Sequence, residues 1–159
     1  MKWLLNFERS LTYTLKLIIA LCFFCIIVLI VTLVILRYCF NATIIGANEF
    51  VVVLFIYTSA LGAAIIIGKK EHIAITYFID KLPLGLRKVV DVINFLLIAF
   101  INVVMVWYSF RWIEITGSYL TAVLRIQQAY VQIMVPISCS LAILYCLYHI
   151  AIILTPKRL

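Results

Sequence analysis

Two cysteines separated by two residues are the first candidates for chemistry in this sequence. Cys22 and Cys25 have the spacing of a redox-active thiol pair, which exchanges disulfides through a thiolate. Both lie inside an uncharged run from Leu17 to Leu36, where an apolar environment would desolvate a thiolate. A membrane redox enzyme is therefore an alternative that the position of the pair disfavours.

The two histidines of the chain are candidate haem ligands. His72 lies in a charged stretch, and His149 lies near the end of an apolar one. Two imidazoles are too few for a multi-haem cytochrome but would suffice for one bis-histidine haem. The position of His149 near the end of an apolar helix favours a hydrogen-bonded packing residue or an interfacial residue instead. A Soret absorption band of the purified protein would decide for the haem alternative.

The six acidic residues are scattered along the chain. Glu49 directly precedes one apolar run and Glu114 closely follows another, and Arg37 and Arg125 lie on the same predicted side of the membrane, where they could pair with these carboxylates. Acid–base catalysis and metal binding need several such groups that converge on one point. The scatter therefore predicts no catalytic residues and no metal site, and we expect that the chain is not an enzyme.

The amino-acid composition indicates the kind of protein in which these residues lie. Of the 159 residues, 67% are hydrophobic and 12% are charged, whereas a soluble domain has about 45–50% apolar and about 25% charged residues. So few charges cannot cover a soluble domain of this size. The net charge of +7 does not indicate nucleic-acid binding, because the basic residues lie between apolar runs rather than on one face.

Four uncharged runs of at least 19 residues predict four transmembrane helices, because about 20 residues cross the hydrocarbon core as an α-helix. We predict an all-α integral membrane protein with a single four-span domain over residues 1–159, its spans at about 13–37, 48–68, 89–112 and 129–154. No charge lies near the middle of a run, and no inverted repeat or broken helix pair is evident. Both features disfavour a further alternative, a small autonomous transporter.

The basic residues predict the orientation in the membrane, since cytoplasmic segments retain Lys and Arg. Ten of the 13 basic residues lie on the side that holds both termini, which are therefore expected in the cytoplasm. Between the second and third spans, Ile75, Phe78, Ile79 and Leu82 follow the i, i+3, i+4, i+7 pattern of an amphipathic helix. We predict a short interfacial helix at about 72–82 on the cytoplasmic membrane surface.

An ordered set of short motifs covers nearly the whole chain: Arg37-Tyr38, Glu49, Gly62-Ala63-Ala64, Lys69 to Ile73, Leu82-Pro83, Arg87 and Pro136. Together they resemble the small, DctQ-like membrane subunit of tripartite ATP-independent periplasmic (TRAP) transporters. One departure is that the tryptophan which that family often has shortly before the acidic position is replaced here by the stretch from Ile45 to Asn48.

The resemblance implies a subunit of an importer in the bacterial inner membrane. In that family a periplasmic binding protein delivers an organic acid, of the sialic acid or C4-dicarboxylate class, to a large multispan subunit. That subunit works as an elevator coupled to sodium, and the small subunit braces it as a scaffold. Sodium is expected at the large subunit, so the resemblance implies no cofactor bound by this chain.

The resemblance and the charge distribution together give two groups of candidate site residues. Those expected to contact membrane lipid or the large subunit are Arg37, Lys69, Lys70, His72, Lys81, Arg87 and Lys88. Those expected on a periplasmic face that receives the binding protein are Glu49, Glu114 and Arg125.

Overall fold

A computed structural model describes residues 2–68 and 84–154 of the chain. The described residues form the helices α1 (Lys2–Cys39), α2 (Ala47–Gly68), α3 (Leu84–Thr116), α4 (Gln128–Gln132) and α5 (Met134–Leu154). Helices α1, α2 and α3 and the stretch that combines α4 with α5 are each long and apolar enough to cross a membrane. This confirms the predicted all-α fold with four transmembrane helices. The interfacial helix predicted at about 72–82 lies outside the described residues.

Helix α1 is longer than a bilayer is thick. Its 38 residues measure about 57 Å along the axis, against about 30 Å for the hydrocarbon core. Just after its C-terminal end, Asn41 adopts a left-handed φ of 51°, and the N–H groups of Phe40 and Ala42 both donate to the Leu36 carbonyl. Asparagine adopts this conformation more readily than most residues, so the chain can turn here toward α2. At least one end of α1 extends beyond the hydrocarbon core.

Helices α2 and α5 form the centre of the bundle. Helix α1 packs on α2, α2 packs on α5, and α5 packs on α3. The buried apolar core comprises Leu15, Leu61, Ile65, Ile67, Phe95, Ala99, Met134, Ala142, Tyr145 and Cys146. Ala64 in α2 and Ala142 in α5 are each 1% exposed, and small side chains of this kind let helices approach closely in lipid.

The fourth span is interrupted between α4 and α5. Ile133 separates the two helices, and Pro136 follows in the first turn of α5. Proline has no N–H to donate to the carbonyl four residues earlier, that of Gln132, and its ring clashes with that carbonyl in a continuous helix. The proline therefore explains why α4 ends at Gln132.

Helices α1 and α3 turn most of their apolar surface away from the rest of the described chain. In the most apolar 18-residue window of α1, 6% of the residues are buried, against 28% in that of α2. On α3, Phe100, Trp107 and Phe110 are all exposed. In a membrane protein, faces of this kind contact lipid or another membrane subunit.

Candidate functional surfaces at the two ends of the bundle

The predicted site residues divide between the two ends of the bundle. We call the end that carries segments 40–46 and 117–127 the loop end, and the end at which α1 and α3 begin the terminal end. Segment 117–127 is called the hairpin loop. Arg37, Glu49, Glu114 and Arg125 belong to the loop end, and Arg87 and Lys88 belong to the terminal end. Lys69, Lys70, His72 and Lys81 lie outside the described residues, and their contact with lipid or the large subunit stays a prediction.

The hairpin loop folds back on itself. Leu120 and Gln127 form an isolated antiparallel bridge, and the Thr121 N–H donates to the Ile126 carbonyl over 2.8 Å. The Ile126 N–H in turn donates to the Thr121 hydroxyl over 3.1 Å. Arg125 takes a left-handed φ of 51° at the turn. Because a non-glycine residue rarely adopts this conformation unless its surroundings hold it, the bonds around the turn stabilise its shape.

Glu49 is bound to the hairpin loop. Its Oε2 atom accepts the backbone N–H of Val123 over 3.0 Å and that of Leu124 over 2.7 Å. Hydrogen bonds to a carboxylate are roughly twice as strong as neutral ones. Gly46 directly precedes α2 with a φ of 88°, and a Cβ at this position would lie 2.8 Å from Leu124 Cδ2. The tip of the loop can therefore lie against the start of α2, because the Glu49 carboxylate binds it and Gly46 has no side chain that would collide with Leu124.

Arg37 lines a crevice at the loop end, between the last turns of α1 and the start of α2. The crevice has a volume of about 250 Å³. Its other walls are Ile30, Leu33, Val34, Tyr38, Thr43, Ile44 and Asn48. A guanidinium above an apolar helix face is suited to an anionic group at the membrane boundary, because the cation meets the charge while the apolar wall meets hydrocarbon.

Glu114 and Arg125 are both exposed at the loop end. Within residues 2–68 and 84–154, neither Glu49 nor Glu114 forms an ion pair with Arg37 or Arg125. The pairing suggested by their order in the sequence is thus not formed, because the carboxylate of Glu49 bonds to backbone N–H groups instead. Glu114 and Arg125 leave their charges accessible to the aqueous phase.

A cluster of aromatic and polar side chains ties α5 to α1 at the terminal end. The Tyr145 and Thr12 hydroxyls form a hydrogen bond of 2.8 Å across 133 residues of sequence. The Tyr148 hydroxyl donates to the Glu8 carboxylate over 3.5 Å. Since tyrosine hydroxyls that enter an apolar bundle need a partner, these two bonds satisfy them and join helices from opposite ends of the chain.

His149 belongs to the same end and links α5 to α2. The side chain is 8% exposed, and its Nε2 atom donates to the Gly68 carbonyl over 2.6 Å, since a carbonyl oxygen only accepts. The imidazole also stacks on Phe95, with 5.1 Å between the ring centroids. The bond satisfies one of the carbonyls left open at the end of α2. This confirms the hydrogen-bonded packing role predicted for His149.

The contacts of three residues at the terminal end were not predicted from the sequence: Gly68, Tyr145 and Tyr148. The two tyrosines could have been recognised, because a hydroxyl inside an apolar helix predicts a hydrogen bond to a neighbouring helix. The glycine that ends α2 has a packing reason, since a Cβ there would lie 2.8 Å from Tyr145 Cδ1. Composition alone could not reveal which ring occupies that space.

The other groups considered for chemistry lie apart from these surfaces. Cys22 is half-buried and Cys25 is exposed on α1, and both are free thiols. In the part of the chain that the structure describes, no group of three or more His, Cys, Asp or Glu side chains could hold a metal ion. The side-chain hydrogen bonds that join different elements of the described chain are concentrated at the two ends of the bundle.

Comparison with protein families supplies an independent observation. The family model described as the DctQ component of tripartite ATP-independent periplasmic transporters matches residues 26–155. This match includes α2 to α5 and the second part of α1, which is most of the chain. A comparison with individual curated proteins gives no significant match. The chain therefore belongs to the DctQ family, a component of the tripartite ATP-independent periplasmic transporters.

Proposed function

We propose that this chain is the scaffold subunit that braces the large, elevator-type membrane subunit of a TRAP transporter. Membership of the DctQ family carries the proposal, because that family is a component of this class of transporter. In the proposed complex a periplasmic binding protein delivers an organic acid of the sialic acid or C4-dicarboxylate class. The large subunit carries the acid across the membrane together with sodium, which binds there rather than to this chain.

The distribution of charge supports a bracing role. Each span contains a run of at least 19 residues without Asp, Glu, Lys or Arg. The buried polar side chains of the described residues are Thr58, Ser109, Gln132, Ser138 and His149, which include no carboxylate, lysine or arginine. Ion-coupled transport instead relies on ionisable groups inside the spans. The apolar faces of α1 and α3 that the described chain leaves uncovered give a membrane partner a large surface on which to pack.

In this proposal the chain lies in the bacterial inner membrane with both termini in the cytoplasm and the loop end in the periplasm. The ten basic residues on the side of the termini support this orientation. Lys69, Lys70, His72, Lys81, Arg87 and Lys88 then lie at the cytoplasmic lipid surface, together with the interfacial helix proposed at about 72–82. Arg37 lies at the opposite membrane surface, where its crevice contacts a lipid headgroup or the large subunit.

Copurification tests the scaffold role. A tagged form of this chain, coexpressed with the large subunit, is expected to retain that subunit through detergent extraction and to elute with it as one complex in gel filtration. The physical reason is that the complex covers apolar helix faces that the chain alone leaves exposed. A tagged four-span membrane protein of another family is the control for nonspecific capture. Elution of the two subunits at separate volumes would contradict the proposal.

Reversal of two exposed charges should weaken docking of the binding protein at the loop end. Glu114→Arg combined with Arg125→Glu is expected to raise the binding-protein concentration that gives half-maximal uptake by about three- to tenfold, because charges at the rim of an interface steer association. The two reversals cancel and leave the net charge at +7, so Arg9→Glu, near the start of α1, is the control for a charge reversal far from the loop end. An unchanged concentration dependence in the double variant would remove Glu114 and Arg125 from the docking surface.

A further inference from the structure

The carboxylate of Glu49 has a partner within its own chain. Its Oε2 atom accepts two consecutive backbone N–H groups, those of Val123 and Leu124, at 3.0 and 2.7 Å. These two short hydrogen bonds to one charged oxygen hold the loop in place, because both N–H groups would lose their acceptor if the Glu49 carboxylate were removed. A side chain engaged in this way shapes the surface around it more than it offers its own charge to a partner.

The contact between Gly46 and Leu124 reinforces the same arrangement. Gly46 has a φ of 88°, and a Cβ there would lie 2.8 Å from Leu124 Cδ2 and 3.5 Å from Val123 Cγ1. Any side chain at this position would therefore force the Leu124 side chain out of its place against the start of α2, and it would also strain the backbone at a φ that favours glycine. The glycine and the carboxylate lie three residues apart and act on the same two loop residues.

A third contact fixes the segment that follows the hairpin loop. The Tyr57 hydroxyl, two turns further along α2, donates to the Tyr130 carbonyl over 2.5 Å. Helix α2 therefore holds the tip of the loop through Glu49 and the start of α4 through Tyr57. The loop between these two attachments cannot shift as a whole without breaking one of them.

The hairpin loop presents an apolar surface with one positive charge. Tyr119, Leu120, Val123 and Ile126 are between 41% and 61% exposed, and Arg125 is exposed beside them. Exposed apolar side chains around a charge are typical of the centre of a protein–protein interface. The position of each of them depends on the shape of the loop, which its contacts with α2 stabilise.

We propose that Glu49 is a positioning residue, whose carboxylate fixes the tip of the hairpin loop over the start of α2 and thereby sets the surface on which the binding protein docks. The identity of the docking partner rests on the proposed function. The positioning itself rests on the two hydrogen bonds and on the close approach at Gly46. Glu49 therefore acts through the loop, and its charge is not itself a contact of the binding protein.

Hydrogen exchange of the purified chain in detergent tests the positioning without any partner. Glu49→Ala removes the acceptor and is expected to speed exchange of peptides covering residues 119–127 about tenfold. Glu49→Gln keeps an amide oxygen that can accept the same N–H groups, so its exchange should stay within about threefold of wild type. Val52→Ala, at an exposed position in the next turn of α2, controls for a general effect of substitution on the helix.

Uptake by the complete transporter, measured against binding-protein concentration, tests the docking. Glu49→Ala and Gly46→Ala are both expected to raise the half-saturating concentration of the binding protein about tenfold, with a smaller change in the maximal rate. Gly46→Ala crowds Leu124 and strains the backbone beside the loop while the carboxylate remains, so a shared effect identifies the packing of the loop on α2 as the cause. Glu49→Gln should restore most of the wild-type concentration dependence, which a role for the negative charge would not allow.

The outcomes separate this inference from the proposed function. Unchanged exchange of the hairpin loop in Glu49→Ala overturns the inference whatever the partner is. Normal exchange in Glu49→Gln combined with loss of docking also overturns it, because the charge would then be the contact. Wild-type uptake that does not depend on this chain contradicts the proposed function, and with it the docking role of the loop, before any variant is compared.

Discussion

Replacement of Gly68 by leucine is expected to lower the thermal unfolding midpoint of the detergent-purified protein by roughly 2–12 °C. A Cβ at this last residue of α2 would lie 2.8 Å from Cδ1 and 3.0 Å from Cγ of Tyr145. The Tyr145 ring is 2% exposed and its hydroxyl bonds to Thr12, so it cannot move aside without breaking that bond. Overpacking of this kind costs about 1–3 kcal/mol of the free energy of unfolding. Gel filtration after stepwise heating measures the midpoint.

Gly62→Ala is the matched control, because it changes another glycine of the same helix. Among the described residues, nothing lies within 4 Å of a Cβ placed at Gly62. Alanine also favours a helix interior by about 1 kcal/mol relative to glycine. We expect the midpoint of this variant to equal or exceed that of the wild type. A Gly68→Leu protein that unfolds at the wild-type temperature would contradict the packing described at the terminal end.

Four transmembrane helices could be predicted because their determinants are local. An uncharged run of about 20 residues has only one way to cross lipid as a single segment, since an α-helix satisfies its own backbone hydrogen bonds. Pro136 lies near the start of the fourth run, where a proline can either open a helix or interrupt one, because it has no N–H to donate. The sequence did not reveal that the interruption divides the fourth span into α4 and α5 around Ile133.

The role of Glu49 could not be predicted, because it depends on contacts between distant parts of the chain. Its position shows that a carboxylate stands at a membrane edge, where an arginine is the expected partner. The actual donors, the N–H groups of Val123 and Leu124, lie 74 and 75 residues away. Backbone donors also carry no mark in the sequence, since every residue except proline has one.

Both ends of the bundle are tied across long sequence separations, which suits the proposed scaffold role. Thr12 and Tyr145 join α1 to α5 at the terminal end, while Glu49 joins α2 to the hairpin loop at the opposite end. A subunit that braces an elevator must keep its shape while its partner moves. These ties favour rigidity in the parts of the chain that extend to the membrane surfaces.

We expect that transport by the complete transporter requires this chain. Sodium-driven uptake of a labelled organic acid should fall to the level of empty liposomes when the chain is omitted from the complete transporter. The physical reason is that, in the proposed complex, the large subunit would lose the static partner that braces its elevator motion. The chain alone should give the same background level, because no Asp, Glu, Lys or Arg lies near the middle of any of its spans to bind an ion or an acid.

Reconstitution in proteoliposomes is the decisive test of whether transport requires this chain. The large subunit, this chain and the binding protein are combined in every subset, and uptake of sialic acids and C4-dicarboxylates is measured with an inward sodium gradient. We expect uptake only when all three components are present, and a lower rate with the Gly68→Leu chain than with the Gly62→Ala chain. Uptake by this chain alone, or undiminished uptake in its absence, would show that the chain is not a scaffold subunit.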